Sequence, residues 1–252
     1  YCMSGDRNWL RKEGGPLLRE VADFWTSRAE RNDDGTYSIR NVVCADEYAE
    51  GVDDNAFTNG SAMRALQAAS KAAALCGEKA PAIWNAIAAS LRIPRFEDGT
   101  TREDYDGRII KQADANLLAY PLGLVTNTEE IRRDLAYYEP RIDAGPAMSY
   151  SILALQHARL GDGGKAYELF SRSYQPNRVA PFGVTAEYAG TDNCYFATGA
   201  GGMLQAVING FCGLEITDKG IRQLPSALPA HWKRVTVKGA GPERKNYTKE
   251  NH

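Results

Sequence analysis

Along this chain, apolar residues recur at the three- and four-residue spacing of helices buried on one side. Leu17, Leu18, Val21, Ala22, Trp25 and Ala29 share such a face, with Arg19, Glu20 and Arg28 mostly off it. Thr58 or Asn59 can cap an alanine-rich helix that carries Met63, Leu66, Ala69 and Ala73. Ile83, Trp84, Ile87 and Leu91 mark a shorter helix that stops before Pro94. Residues 113–120 read as another, ending at Pro121. Asn127-x-x-Glu130 is a capping signal for a helix through Leu135 and Tyr138. Pro146 suits the first turn of a helix with Ile152, Leu155 and Ala158, and Gly161 to Gly164 separate it from one with Ala166, Leu169 and Phe170. Gly201 and Gly202 open a last helix through Leu204, Val207 and Ile208.

About eight helices with alternating short and long connections predict antiparallel helical hairpins. Alternation from Tyr37 to Val43 predicts one short strand among them. After Gly210 the texture changes. Leu214 to Thr217, Gly220 to Gln223 and Arg234 to Lys238 read as short strands punctuated by Pro225 and Pro229, and the polar tail beyond Gly239 is expected to fray.

Composition narrows the function. A chain of 252 residues with 43% hydrophobic content can bury a substantial core. A formal charge of −2 argues against nucleic acid or an anionic membrane as the main partner. No apolar run reaches the roughly 18 residues of a membrane span. The five cysteines (Cys2, Cys44, Cys76, Cys194 and Cys212) are widely spaced, and His157, His231 and His252 are scattered, so neither a metal nor another cofactor is expected. No signal peptide is visible, and a start at Tyr1 reads as processed or trimmed. The compartment is left open, with a periplasmic or secreted location favoured.

Two acidic stretches carry the candidate chemistry. Asp46-Glu47-Tyr48 follows the strand-like run, and Thr185-Ala186-Glu187-Tyr188 lies in a loop bounded by Gly and Pro. Cleaving a glycosidic bond requires a carboxyl group on each side of it. Between them in the chain stand Lys111 and Gln112, a cation and an amide.

Around these residues the chain resembles glycoside hydrolase family 65. The resemblance is carried by Gly5-Asp6 with Trp9-Leu10, Phe24-Trp25-x-Ser27-Arg28, Ala45-Asp46-Glu47-Tyr48 and Asp54-Asn55-Ala56-Phe57-Thr58-Asn59. It continues through Lys111-Gln112-Ala113-Asp114, Asp134-Leu135-x-Tyr137-Tyr138, Gly145-Pro146-Ala147-Met148, Glu187 and Thr198-Gly199-x-Gly201-Gly202. The motifs keep the family's order over roughly positions 1 to 215. Each is weak alone; the ordered set is specific.

The resemblance implies a partial (α/α)6 toroid, with residues 1–212 as the second half of the catalytic barrel and 213–252 as the start of a C-terminal β layer. The family's N-terminal β-sandwich and earlier barrel helices have no counterpart here, so a companion N-terminal chain or segment is expected to complete the barrel. By resemblance, Glu47 is the general acid, kept protonated by burial beside Asp46, whose charge would raise its pKa. Glu187 is the general base acting on water. Lys111 and Gln112 hold the glucosyl hydroxyls. Asp46, Asn55 and Tyr48 stand next to them, either touching sugar and orienting Glu47 or bracing the loop.

The activity implied is inverting hydrolysis of a short α-glucoside, such as a kojibiose-, trehalose- or nigerose-like disaccharide. Inversion sets the two carboxyl groups roughly 6.5–9.5 Å apart. One alternative is a disaccharide phosphorylase of the same family, with an anion site at Gly199, Gly201 and Gly202. The other is a non-catalytic sugar-binding or scaffolding piece of a two-chain assembly. Trp25 and Trp84 are expected in the core, His157 in a structural role, and Asn59-Gly60-Ser61 and Asn246-Tyr247-Thr248 fit the glycosylation pattern.

Overall fold

A computed structural model describes residues 1–102, 108–143, 147–191 and 193–251. The architecture is mainly helical, with four two-stranded antiparallel pairs at its margins among the described residues. Pro146, Gly145 and His252 lie outside those residues.

The first helical group is organised by small residues. Asp6 caps a single turn, α1 (Arg7–Trp9), by accepting a 2.8 Å hydrogen bond from Trp9 N. A π turn (Leu10–Gly14) then leads into α2 (Gly15–Arg28). The side chain of Asn55 accepts from Thr58 N and starts α3 (Ala56–Cys76), whose alanine face lets α2 and α4 (Ala82–Ser90) approach closely. Ala22, Ala62, Leu66, Ala69, Trp84 and Ile87 form their shared core, with Trp25 packed against it. Between α2 and α3 run β1 (Glu30–Arg31) and β2 (Tyr37–Ser38).

The second group surrounds α6 (Met148–Arg159), which is buried at eight of its positions. Asn127 caps α5 (Thr128–Tyr138) through Glu129 N and Glu130 N at 2.9 and 3.1 Å, and two acidic residues in the first turn favour the helix dipole. Helix α7 (Gly163–Arg172), capped by Asp162, and α8 (Ala197–Gln205), continued by a π turn (Ala206–Phe211), pack on α6. Two glycines permit this. A Cβ at position 202 would stand 2.4 Å from Ser151 Oγ, and one at 210 would stand 2.9 Å from Leu155 Cα.

Between these helices β3 (Arg178–Val179) pairs with β4 (Val184–Thr185). Beyond Phe211 come two hairpins, β5 (Leu214–Thr217) with β6 (Gly220–Gln223), and β7 (Arg234–Ala240) with β8 (Lys245–Glu250). They share the helical core: Leu228, Trp232 and Val235 pack with Leu153, Leu169, Phe170 and Phe211. The Trp232 ring stands 4.9 Å from that of Phe211.

Four sequence expectations change. The helix expected over residues 113–120 is one 3-10 turn, Ala115–Leu118. Its backbone closes the tighter bonds instead, Leu117 N to Asp114 O and Ala119 N to Asn116 O, while Asp46 Oδ1 and Ser149 Oγ hold the N–H groups of Lys111 and Ala113. The strand expected from Tyr37 to Val43 stops at Ser38, because Asp54 and Asp53 take the N–H groups of Ile39 and Asn41. Gly201 and Gly202 lie inside α8 rather than opening it. The tail is paired rather than frayed, since Val235 and Val237 turn inward along β7 while Lys245 to Glu250 supply the partner strand.

Candidate active site

The loop bearing Glu47 is rigid at its base and open at its tip. Val42 and Val52 exchange two 3.0 Å backbone hydrogen bonds, Cys44 N donates to Ala49 O, and Ala49 N donates to Asp46 O. Cys44, Ala49 and Val52 bury their side chains against Ile110, Ala115 and Tyr138. The chain must then turn outward at Glu47 and Tyr48, both exposed.

Lys111 arrives beside that tip from a neighbouring segment. Ile110 N donates to Arg141 O and Asp143 N donates to Ile110 O, which pins the residue before it. Lys111 Nζ forms an ion pair with Glu47 Oε2. The pairing sets both protonation states: Lys111 holds the Glu47 carboxyl below its usual range, and Glu47 pushes the lysine up. The expected rise of the Glu47 pKa through burial beside Asp46 is therefore absent. Glu47 is exposed at the loop tip, whereas Asp46 turns the other way, into the protein.

Gln112 is nearly buried. Its Nε2 donates to Ala45 O and also supports the negative charge of Glu47. Its Oε1 is buried with no donor among the described residues. Tyr48 OH donates to Asp143 Oδ2 at 3.0 Å, which raises the phenol's pKa.

Asp46 and Asn55 are both 0% exposed. Asp46 Oδ1 accepts from Lys111 N at 2.7 Å and Tyr48 N at 3.2 Å. Asn55 Nδ2 donates to Asp114 Oδ1 at 3.0 Å, while its Oδ1 caps α3. Of the two roles open to them, touching sugar or bracing the loop, their burial and these hydrogen bonds favour bracing. Asp114, quoted above only as part of a motif, is the residue they meet.

Glu187 sits on a second braced loop. Asn177, also unremarked in the sequence, donates its amide to Ala186 O at 3.2 Å and Glu187 O at 2.9 Å, and its own carbonyl accepts from Ala186 N at 2.7 Å. Ala186 bridges Cys194, and Asn193 Nδ2 donates to Glu187 Oε2 at 3.3 Å. The side chain is half-buried. Glu47 first, and then Tyr188 and Glu187, raise the Lys111 pKa. Phe182 and Tyr195 project from the Glu187 loop at 90% and 81% exposure.

Of the remaining candidates, Gly199 lies against the Glu187 loop and the others stand elsewhere. Gly199 packs against Phe196 and Thr185, and Gly202 against Ser151, while Gly201 faces open space. His157 joins Glu139 at 2.8 Å and Lys165 joins the same carboxylate at 3.0 Å, tying α6 to α7. Trp84 is in the core and Trp9 is half exposed. Asn59 is buried inside α3, donating to Asp54 and Arg92 O, whereas Asn246 is exposed on β8. Among the described residues no cluster of three His, Cys, Asp or Glu could hold a metal ion, and no helix is long and apolar enough to cross a membrane.

Comparison with known proteins adds the wider context. The model of the glycosyl hydrolase family 65 central catalytic domain matches residues 1–92 and 82–178. A kojibiose hydrolase of Flavobacterium johnsoniae is 50% identical over 252 residues, and one of Mucilaginibacter mallensis is 49% identical over 251. Each alignment spans 98% of this chain and 37% of the relative. A protein-glucosylgalactosylhydroxylysine glucosidase of Danio rerio is 36% identical over 247 residues, 95% of this chain and 37% of that protein. Among solved structures, a human-microbiome protein described as a kojibiose phosphorylase superposes with a TM-score of 0.75 at 18% identity, covering 98% of this chain and 40% of that one, a likeness of fold. The chain thus spans 37% of the length of the first two curated relatives.

Proposed function

Because the chain belongs to glycoside hydrolase family 65, we propose that it carries the acid and the base of an inverting α-glucosidase acting on a kojibiose-like disaccharide. In this reading residues 1–212 are half of an (α/α)6 toroid and residues 213–252 begin its β layer. A companion N-terminal segment closes the barrel over the exposed tip of Glu47.

The observation that carries it is the ion pair of Lys111 with Glu47 at an exposed loop tip, on a lysine whose pKa Glu187 also helps to raise. Glu47 protonates the leaving oxygen and Glu187 deprotonates the attacking water. Lys111 donates to a glucosyl hydroxyl, and Gln112, whose amide also supports the charge of Glu47, holds a second one. An acid must hold its proton, and Lys111 opposes that in the empty site. Sugar binding therefore redirects Lys111 from Glu47 to the substrate, which lets the carboxyl take up its proton. Asp46 and Asn55 serve as supports of the acid loop.

A carboxylate at position 187 would repel an attacking phosphate, which favours hydrolysis over phosphorolysis. The test is to present the full-length protein with kojibiose, trehalose, nigerose and maltose, with and without phosphate, and to follow the released sugar by NMR. Hydrolysis giving β-glucose first is expected. Phosphate-dependent release of glucose 1-phosphate, or α-glucose as the first product, would overturn the reading. Absence of turnover on all four sugars, with glucose still bound, would favour the non-catalytic alternative.

A further inference from the structure

The loop that presents Glu47 and the segment that presents Lys111 and Gln112 have no covalent proximity, yet one buried carboxylate joins them. Asp114 is fully buried. Its Oδ2 accepts from Asp46 N at 3.3 Å, one residue before Glu47, and its Oδ1 accepts from Asn55 Nδ2 at 3.0 Å. Asp46 returns the link, accepting from Lys111 N at 2.7 Å and from Tyr48 N. Asn55 fastens the assembly to the start of α3, and Ser149 Oγ fastens Ala113 N to α6 at 2.8 Å. The contacts form a closed relay: α3 to Asn55, Asn55 to Asp114, Asp114 to the backbone of the Glu47 loop, and that loop back to Lys111.

We propose that Asp114 is a positioning residue for the general acid, holding the Glu47 loop and the Lys111–Gln112 segment in one register without touching substrate. This rests on the reading of Glu47 as the acid. The geometry explains why a carboxylate stands here. The groups it faces are donors, the Asn55 amide and the N–H groups of Asp46 and Ala45, and an acceptor-only group satisfies all of them. An amide in its place would turn an NH2 toward one of them and leave two donors facing each other. Burial without an adjacent ammonium pushes the Asp114 carboxyl up to about 6, and the hydrogen bonds from Asn55 and from the backbone of Asp46 and Ala45 only partly offset that. The protein thus retains an expensive charge at the back of its site.

The experiment uses the full-length protein and compares kojibiose with α-glucosyl fluoride, whose leaving group needs little protonation. Asp114→Asn is expected to lower kcat on kojibiose by about 100-fold, the cost of a misplaced catalytic group, with KM nearly unchanged. Against the fluoride the loss should be at least about tenfold smaller, because the acid matters little there. The exchange Asp114→Asn with Asn55→Asp restores the pairings with position 55 and with Asp46 N, keeps an N-cap on α3, and should recover most of the kojibiose turnover.

Equal losses on the two substrates, or a kcat within about threefold of the parent, would overturn the positioning role. If the single variant does not fold, the exchanged pair decides alone: a folded double variant with the acid-dependent defect intact sinks the proposal. Glu47→Gln, run in parallel, keeps the two ideas apart. Full turnover in that variant removes the acid assignment itself, whereas an inactive Glu47→Gln beside an unaffected Asp114→Asn removes only the role proposed for Asp114.

Discussion

Removing the charge of Asp114 should change how the protein's stability depends on pH. Burial is the largest influence on this carboxyl, which rises from an ordinary 3.8 to about 6 in the folded chain. A raised folded pKa means that the folded state binds the proton more tightly than the unfolded state. The stabilisation is therefore complete below about pH 4 and is lost as pH rises through about 6. The gap between 3.8 and about 6, at about 1.4 kcal/mol per pH unit, sets the loss at about 3 kcal/mol. Asparagine cannot titrate, so Asp114→Asn should lack that decline. Whatever constant cost the amide brings through its misdirected NH2, the difference between the two proteins should shrink in the wild type's disfavour across the interval. Urea unfolding of both full-length proteins at several values from about pH 4 to about pH 7 reads this directly. Parallel stability curves would refute the argument, because they would mean that Asp114 titrates alike in the folded and unfolded states.

Glu187→Gln should reduce turnover by about 1000-fold while glucose affinity, measured calorimetrically, changes little; undiminished turnover removes Glu187 from the mechanism. Lys111→Met frees Glu47 from the partner that lowers its pKa, so the alkaline limb of kcat/KM should move to higher pH as overall activity falls. A limb that stays in place would show that Lys111 does not control the acid. Gly202→Ala should cost about 1–3 kcal/mol, since its Cβ would meet Ser151 Oγ at 2.4 Å, and adding Ser151→Ala should return part of that in thermal unfolding.

Much of the helical framework was legible in the sequence because its signals are local. Asn127 lies three residues before the glutamate whose amide it receives, and the alanines of α3 recur at the helical period whatever packs against them. Residues 113–120 misled for the opposite reason. Their apolar spacing is helical, but the segment is held at its start by Asp46 and Ser149, distant in sequence, and closes only a 3-10 turn. The same limit hid the working backs of both loops. Glu47, Glu187, Lys111 and Gln112 announced themselves by residue type beside motifs. Asn177 gave no such signal, being an ordinary polar residue until its amide is seen spanning two carbonyls. Asp46 and Asn55 looked like sugar contacts because they border the acid, and only the direction of their side chains separates bracing from binding. The fraying expected of the tail rested on its polarity, which an edge hairpin tolerates once one face is covered.

The Asn177 bracket has a consequence for how this scaffold can change its chemistry. It clamps the main chain at Ala186 and Glu187 from the hairpin and the turn that follows it, and among the described residues it shares no hydrogen bond with the relay behind Glu47. The two carboxylates therefore sit on mechanically separate mounts. If Glu187 is the base proposed above, exchanging residues 183–194 is expected to alter what attacks the sugar while the Glu47 loop keeps its own supports, so that rewriting one short stretch trades one incoming nucleophile for another.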